Sequence, residues 1–152
     1  MILSSIREWL SKRTRPVSLG GHLSLGQRGE RAAAKYLRKQ GYKIVATRER
    51  IRFGEIDIIA VEGTKKVGRT LVFIEVKTRR RADQGRPAEA VDLTRRSRMT
   101  RAALAFQKGH GLLETPSRFD VIEVIWPKES AQPEITHLKN AFEAEGHGQM
   151  YR

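Results

Sequence analysis

The sequence predicts an α/β domain of the α+β kind, a mixed β-sheet flanked by helices. Two observations carry this. Three apolar, β-rich runs follow one another with only short turns between them, which implies antiparallel pairing. A long helical stretch then separates the third run from a fourth, which leaves room for a parallel crossover.

The elements follow in order. Residues 26–40 read as a helix, with Ala32, Ala33, Ala34, Tyr36 and Leu37 as helix formers and Gly41 as the stop. Residues 42–47 alternate around Ile44 and Ala46, a strand signal. Residues 50–54 form a turn, 55–61 a strand, and 62–66 a hairpin loop. Residues 70–77 give the strongest strand: Leu71, Val72, Phe73, Ile74 and Val76. A basic, Gly-containing stretch at 79–87 leads into a helix over 88–107. A strand over 118–126 is stopped by Pro127. Ile135, Leu138 and Phe142 stand at helical spacing, so a final helix is expected there. Domain boundaries are expected at 1–25, a basic amphipathic extension, 26–142, the folded domain, and 143–152, a flexible tail.

Composition narrows the function classes. The chain has 152 residues, 30 Lys and Arg against 17 Asp and Glu, and a net charge of +13. It has no cysteine, which excludes disulfides, Cys-ligated zinc and a thiol nucleophile, and is compatible with a reducing cytoplasm. No apolar run approaches the roughly 18–20 residues of a membrane span. The charge is focused: residues 77–101 carry nine basic residues against three acidic ones. Such a track calls for a polyanion, nucleic acid before anionic membrane. Residues 2–15 form a short amphipathic basic helix. Membrane-surface contact through it is the less favoured reading, since one short helix binds weakly.

Acids inside strands are the informative anomaly. Asp57 lies among Ile56, Ile58 and Ile59; Glu75 lies among Phe73, Ile74 and Val76, with Lys77 two residues on. Alternation puts Glu75, Lys77 and Arg79 on one side. If the two strands pair, Asp57 and Glu75 come close. Two such carboxylates repel unless a cation lies between them, and Mg²⁺ or Mn²⁺ suits oxygen ligands. A structural salt bridge from Glu75 to Lys77 or Arg79 is the alternative. Glu30 sits on the apolar stripe of its helix, either reaching the metal site or serving as a first-turn acid. Arg95 lies on the apolar stripe of the long helix, four residues from both Val91 and Met99. It either snorkels or reaches a carboxylate or phosphate.

Gly54-Glu55-Ile56-Asp57, then Phe73-Ile74-Glu75-Val76-Lys77-Thr78-Arg79, then Arg118-Phe119-Asp120-Val121 resemble the YraN-like family of bacterial proteins. That family belongs to the restriction-endonuclease-like, PD-(D/E)XK superfamily. The resemblance covers about residues 26–142, with Gly29-Glu30 and Asn140-Ala141-Phe142 at its ends. It implies a restriction-endonuclease-like core, with Asp57 as motif acid, Glu75 and Lys77 as the acid–x–Lys pair, and Glu30 as the helix acid of resolvase-like members. Two positions depart: Arg95 stands where the family usually has Lys, and Arg48 where it often has Asn.

The function expected is metal-dependent phosphodiester hydrolysis in nucleic acid, DNA favoured over RNA, selective for structure rather than sequence. Asp57, Glu75 and Lys77 would be catalytic. Asp57, Glu75 and Glu30 would hold the metal. Arg79, Arg80, Arg81, Arg86, Arg95, Arg96, Arg98 and Arg101 would track phosphates. The alternative is a non-catalytic nucleic-acid-binding protein on the same fold.

Overall fold

The computed structural model describes residues 22–81, 91–128 and 131–145. The elements are α1 (Leu25–Lys39), β1 (Lys43–Ile51), β2 (Gly54–Thr64), β3 (Gly68–Arg79), α2 (Leu93–Gly109), β4 (Ser117–Ile125) and β5 (Glu134–Phe142). They form one five-stranded sheet in the order β1-β2-β3-β4-β5. The β3–β4 pair is parallel and the others are antiparallel. The mixed sheet and its α2 crossover therefore match the sequence expectation.

Local chemistry explains the helix starts. Ser24 caps α1: its hydroxyl accepts from the Gln27 amide while the Gln27 side chain accepts from the Ser24 amide. Asp92 caps α2 by accepting from the Arg95 amide at 2.8 Å. With α1 beginning at Leu25, Glu30 falls in the second turn, so it is not a first-turn acid.

Strand alternation divides the core between two faces. Val72, Ile74 and Val76 join Ala33, Ala34 and Leu37 beneath α1. Leu71 and Phe73 join Met99, Ala102, Ala103 and Phe106 beneath α2. Phe73, fully buried, has Phe106 at 6.0 Å and Phe119 at 5.9 Å between ring centroids. Gly29 lets α1 sit directly on β3: a Cβ there would stand 1.8 Å from Thr78 Oγ1.

Two expectations need correction. Residues 134–142 form a strand, not a helix. The ladder pairs Phe119 with Phe142 but Val121 with Leu138, so two residues of β4 face four of β5. The helix-like spacing arises because this strand buries apolar side chains on both faces: Leu138 and Phe142 pack on the α2 side and Ile135 on the α1 side, and Asn140, at φ 52°, sits in the bulge. Residues 143–145 are also not free. The Glu145 amide donates to Thr100 Oγ1 at 3.0 Å, and Ala144 packs on the core. The segments 1–21, with the expected amphipathic helix, and 82–90, with Arg86, lie outside the described residues. Among the described residues no helix is long and apolar enough to cross a membrane.

Candidate functional site

The pairing of β2 with β3 sets the site. It runs from Thr64↔Gly68 to Ile58↔Ile74 and stops. Asp57 and Glu75 are the next residue on each strand. Beyond the last paired residues the Asp57 carboxylate accepts from the Val76 amide at 2.8 Å. Both acids are buried, Asp57 to 7% exposure and Glu75 to 3%.

Burial pushes the Asp57 carboxyl up to about 7, and the negative charge of Glu75 pushes in the same direction. The Val76 amide opposes this; the charge of Glu30 and a hydrogen bond with Glu75 add to it. Asp57 is thus a buried acid among acids, the arrangement that disfavours full ionisation.

Cations approach the other two acids. Lys77 Nζ lies 3.5 Å from Glu75 Oε1. Arg95 Nη2 donates to Glu75 Oε2 at 2.8 Å, so α2 delivers its anomalous arginine to the acid of β3. Burial lowers the Arg95 proton affinity, but its hydrogen bond to Glu75 and the acids' charges outweigh that and raise it. Its Nε is buried with no hydrogen-bond partner among the described residues. Glu30 accepts from Arg48 Nε at 2.6 Å. Arg48 has φ 51°, a left-handed conformation that Asn adopts more readily than Arg. That gives a physical reason for an Asn at this place, and here the Arg side chain clasps Glu30.

As they stand, no three acidic or histidine side chains among the described residues converge as a ready metal cage. Asp57 and Glu75 come together; Glu30 touches them through its charge and is turned to Arg48. The donor set nonetheless suits a hard divalent cation. Mg²⁺ typically takes one or two carboxylates and keeps several waters, and a cation would offset the burial and repulsion that push the Asp57 carboxyl up.

The expected phosphate-tracking residues separate into two groups. Arg79 is nearly buried, with Nη1 3.5 Å from Glu123 Oε2, and shows little surface. Arg96 is turned inward, its Nε donating to the Val91 carbonyl and its guanidinium 5.4 Å from the Phe142 ring centroid. Arg80 donates to the Trp126 carbonyl yet stays exposed, as do Arg81, Arg98 and Arg101.

Sequence reasoning missed a second charged cluster. Asp120, fully buried, accepts from Arg118 Nε at 2.9 Å and Nη2 at 3.1 Å, and from the Asn140 amide at 2.9 Å. His137 Nε2 lies 2.7 Å from Asp120 Oδ2. Arg118 also donates to Glu62 at 2.5 Å and to the Tyr42 hydroxyl at 2.9 Å. Burial raises the Asp120 carboxyl, but His137, Arg118 and the Asn140 amide hold it below the usual range. Arg118 and Asp120 at alternate positions of one strand were the available signal.

The profile of the Uncharacterised protein family UPF0102 matches residues 29–124. The chain belongs to that family. UPF0102 is the YraN-like family that the sequence motifs resemble. A UPF0102 protein of Rhodopirellula baltica is 42% identical over 135 residues, 88% of this chain and 79% of the relative. UPF0102 proteins of Geobacter sulfurreducens and Alkaliphilus metalliredigens are each 44% identical, covering 84% and 78% of this chain and 97% of each relative.

Proposed function

We propose that this UPF0102 protein is a metal-dependent nuclease of the PD-(D/E)XK kind, acting on nucleic acid, DNA in preference to RNA. The observation that carries the proposal is the buried Asp57–Glu75 pair at the end of the β2–β3 ladder, with Lys77 3.5 Å from Glu75. Bound at Asp57 and Glu75, Mg²⁺ or Mn²⁺ would supply Lewis acidity toward a phosphate oxygen and lower the pKa of a water. Glu30, whose charge is felt at Asp57, would have to release Arg48 and turn toward the pair to add a third carboxylate. Lys77 orients the attacking water or offsets the negative charge that grows on the phosphate. Arg95, with its unused Nε donor beside Glu75, offers a further contact to that phosphate. Arg80, Arg81, Arg98 and Arg101 supply sequence-independent attraction to the backbone.

A binding protein without turnover is the second reading. Its support is that Glu30 and Glu75 are each already clasped by an arginine. Purified protein with single-stranded, duplex and branched DNA and with RNA, in Mg²⁺ or Mn²⁺, separates the two. The nuclease reading expects cleavage that Asp57→Ala and Glu75→Ala abolish while binding persists, and that Lys77→Ala slows about 10²–10⁴-fold. Binding without metal-dependent cleavage of any substrate supports the second reading and ends the first.

A further inference from the structure

The β1–β2 hairpin reverses through only two residues. Ile51 pairs with Gly54, so Arg52 and Phe53 form the whole loop. Neither loop residue lies in the left-handed region, so this is not one of the primed turns that demand glycine at the tip. The turn therefore tolerates ordinary side chains, and what it displays at its tip is an arginine and a large aromatic.

What the tip presents is specific. Phe53 is 41% exposed, the one aromatic ring among the large apolar side chains that stand exposed among the described residues. The Arg52 guanidinium lies 5.5 Å from its ring centroid. Arg50, with 90% of its side chain exposed, meets Glu55 only at 3.6 Å, a weak surface pair that yields readily to phosphate. Gly54 brings α2 alongside, since a Cβ there would lie 3.9 Å from the Cβ of exposed Arg98. An exposed aromatic ring with one arginine against it and two more on the neighbouring strand and helix offers a stacking surface and phosphate contacts together.

Its place matters as much as its chemistry. Phe53, in the turn that opens β2, precedes Asp57 by four residues, about 13 Å at roughly 3.3 Å per residue. That is about four base steps. A nucleic-acid strand running along β2 with a phosphate at the acidic pair would therefore span the distance to the tip.

We infer that Phe53 stacks on an unpaired base while Arg50, Arg52 and Arg98 hold the flanking phosphates, so that the hairpin reads the branched or single-stranded character of a DNA substrate. This rests on the nucleic-acid reading above but not on catalysis. A paired base offers its face only if unstacked, at a cost of a few kcal/mol. A branch or single strand offers it freely.

The experiment is metal-free binding of the full chain, in EDTA, to branched DNA carrying 2-aminopurine at the branch and to a continuous duplex of the same length. The wild type should alter 2-aminopurine fluorescence on the branched DNA. Phe53→Ala should lose that signal, bind branched DNA about tenfold more weakly and bind duplex within about twofold of wild type. Phe53→Tyr should restore both, which a folding defect would not allow. Branched-DNA affinity and fluorescence unchanged in Phe53→Ala overturn the inference. If the Phe53 effects hold and no substrate is ever cleaved, the hairpin role stands and the nuclease reading falls. If the wild type binds no nucleic acid, both fall.

Discussion

Asp57 on β2 and Asp120 on β4 flank the central strand β3, and both are buried, yet their surroundings are opposite. Around Asp120 every oxygen has a donor: Arg118 twice, the Asn140 amide and His137. Around Asp57 one backbone amide donates, no cation among the described residues makes an ion pair with it, and the charges of Glu75 and Glu30 push its carboxyl up. The carboxyl is held down in the first case and pushed up to about 7 in the second. A buried acid that completes its own ion network is serving the fold. One left short of cations among other acids costs stability that only a further ligand recovers.

The largest test of that contrast is substitution. Asp120→Asn removes the partner of a buried arginine and should cost about 3–5 kcal/mol in urea unfolding. Asp57→Asn keeps an acceptor for the Val76 amide and loses a repelled charge, so it should leave stability at pH 8 unchanged or higher. Equal damage from the two would erase the distinction.

Next comes pH. With its folded pKa raised from 3.8 to about 7, Asp57 favours the native state fully below pH 4. That contribution is lost as pH rises through about 7, because the native state then gives up a proton it held more tightly than the unfolded chain. Asp120 has the opposite sign: its stabilisation is present above pH 4 and lost as pH falls through its lowered folded pKa. At about 1.4 kcal/mol per tenfold change in proton affinity, the Asp57 share is a few kcal/mol at most. Metal-free protein should therefore lose thermal stability between pH 4 and 7, and Asp57→Asn should flatten that limb while Asp120→Asn leaves it. A limb that persists in Asp57→Asn assigns the proton elsewhere.

The smallest effect concerns Arg95. It competes for Glu75 with any incoming cation, so Arg95→Gln should tighten Mn²⁺ binding about fivefold by calorimetry, as expected for losing one half-exposed ion pair. Weaker Mn²⁺ binding in that variant would mean that Arg95 braces Glu75 for the metal rather than opposing it.

The sheet was largely legible because its strands are apolar runs separated by short turns, and periodicity reports such patterns directly. Strand β5 was not. It offers apolar side chains to both faces, Ile135 to one and Leu138 and Phe142 to the other, and their three-and-four spacing in the sequence imitates a helix. Asp57, Glu75 and Lys77 stood out because charge inside an apolar strand is anomalous on its own. The clasp of Arg48 on Glu30 did not, since partners 18 residues apart leave no local trace. Arg118 and His137 escaped for a similar reason: each looks ordinary until the fold brings Asp120 between them.

The contact of Gly29 with Thr78 has a mechanical consequence. With no side chain between helix and strand at that point, α1 and the end of β3 are pinned together like two leaves of a hinge. Glu30 and Arg28 flank the pin on one leaf, Lys77 and Arg79 on the other. The pin fixes the height of Glu30 against the end of β3 that carries Glu75 and Lys77, and one residue before it Arg28 has its guanidinium 4.3 Å from the Trp126 ring centroid, just past β4.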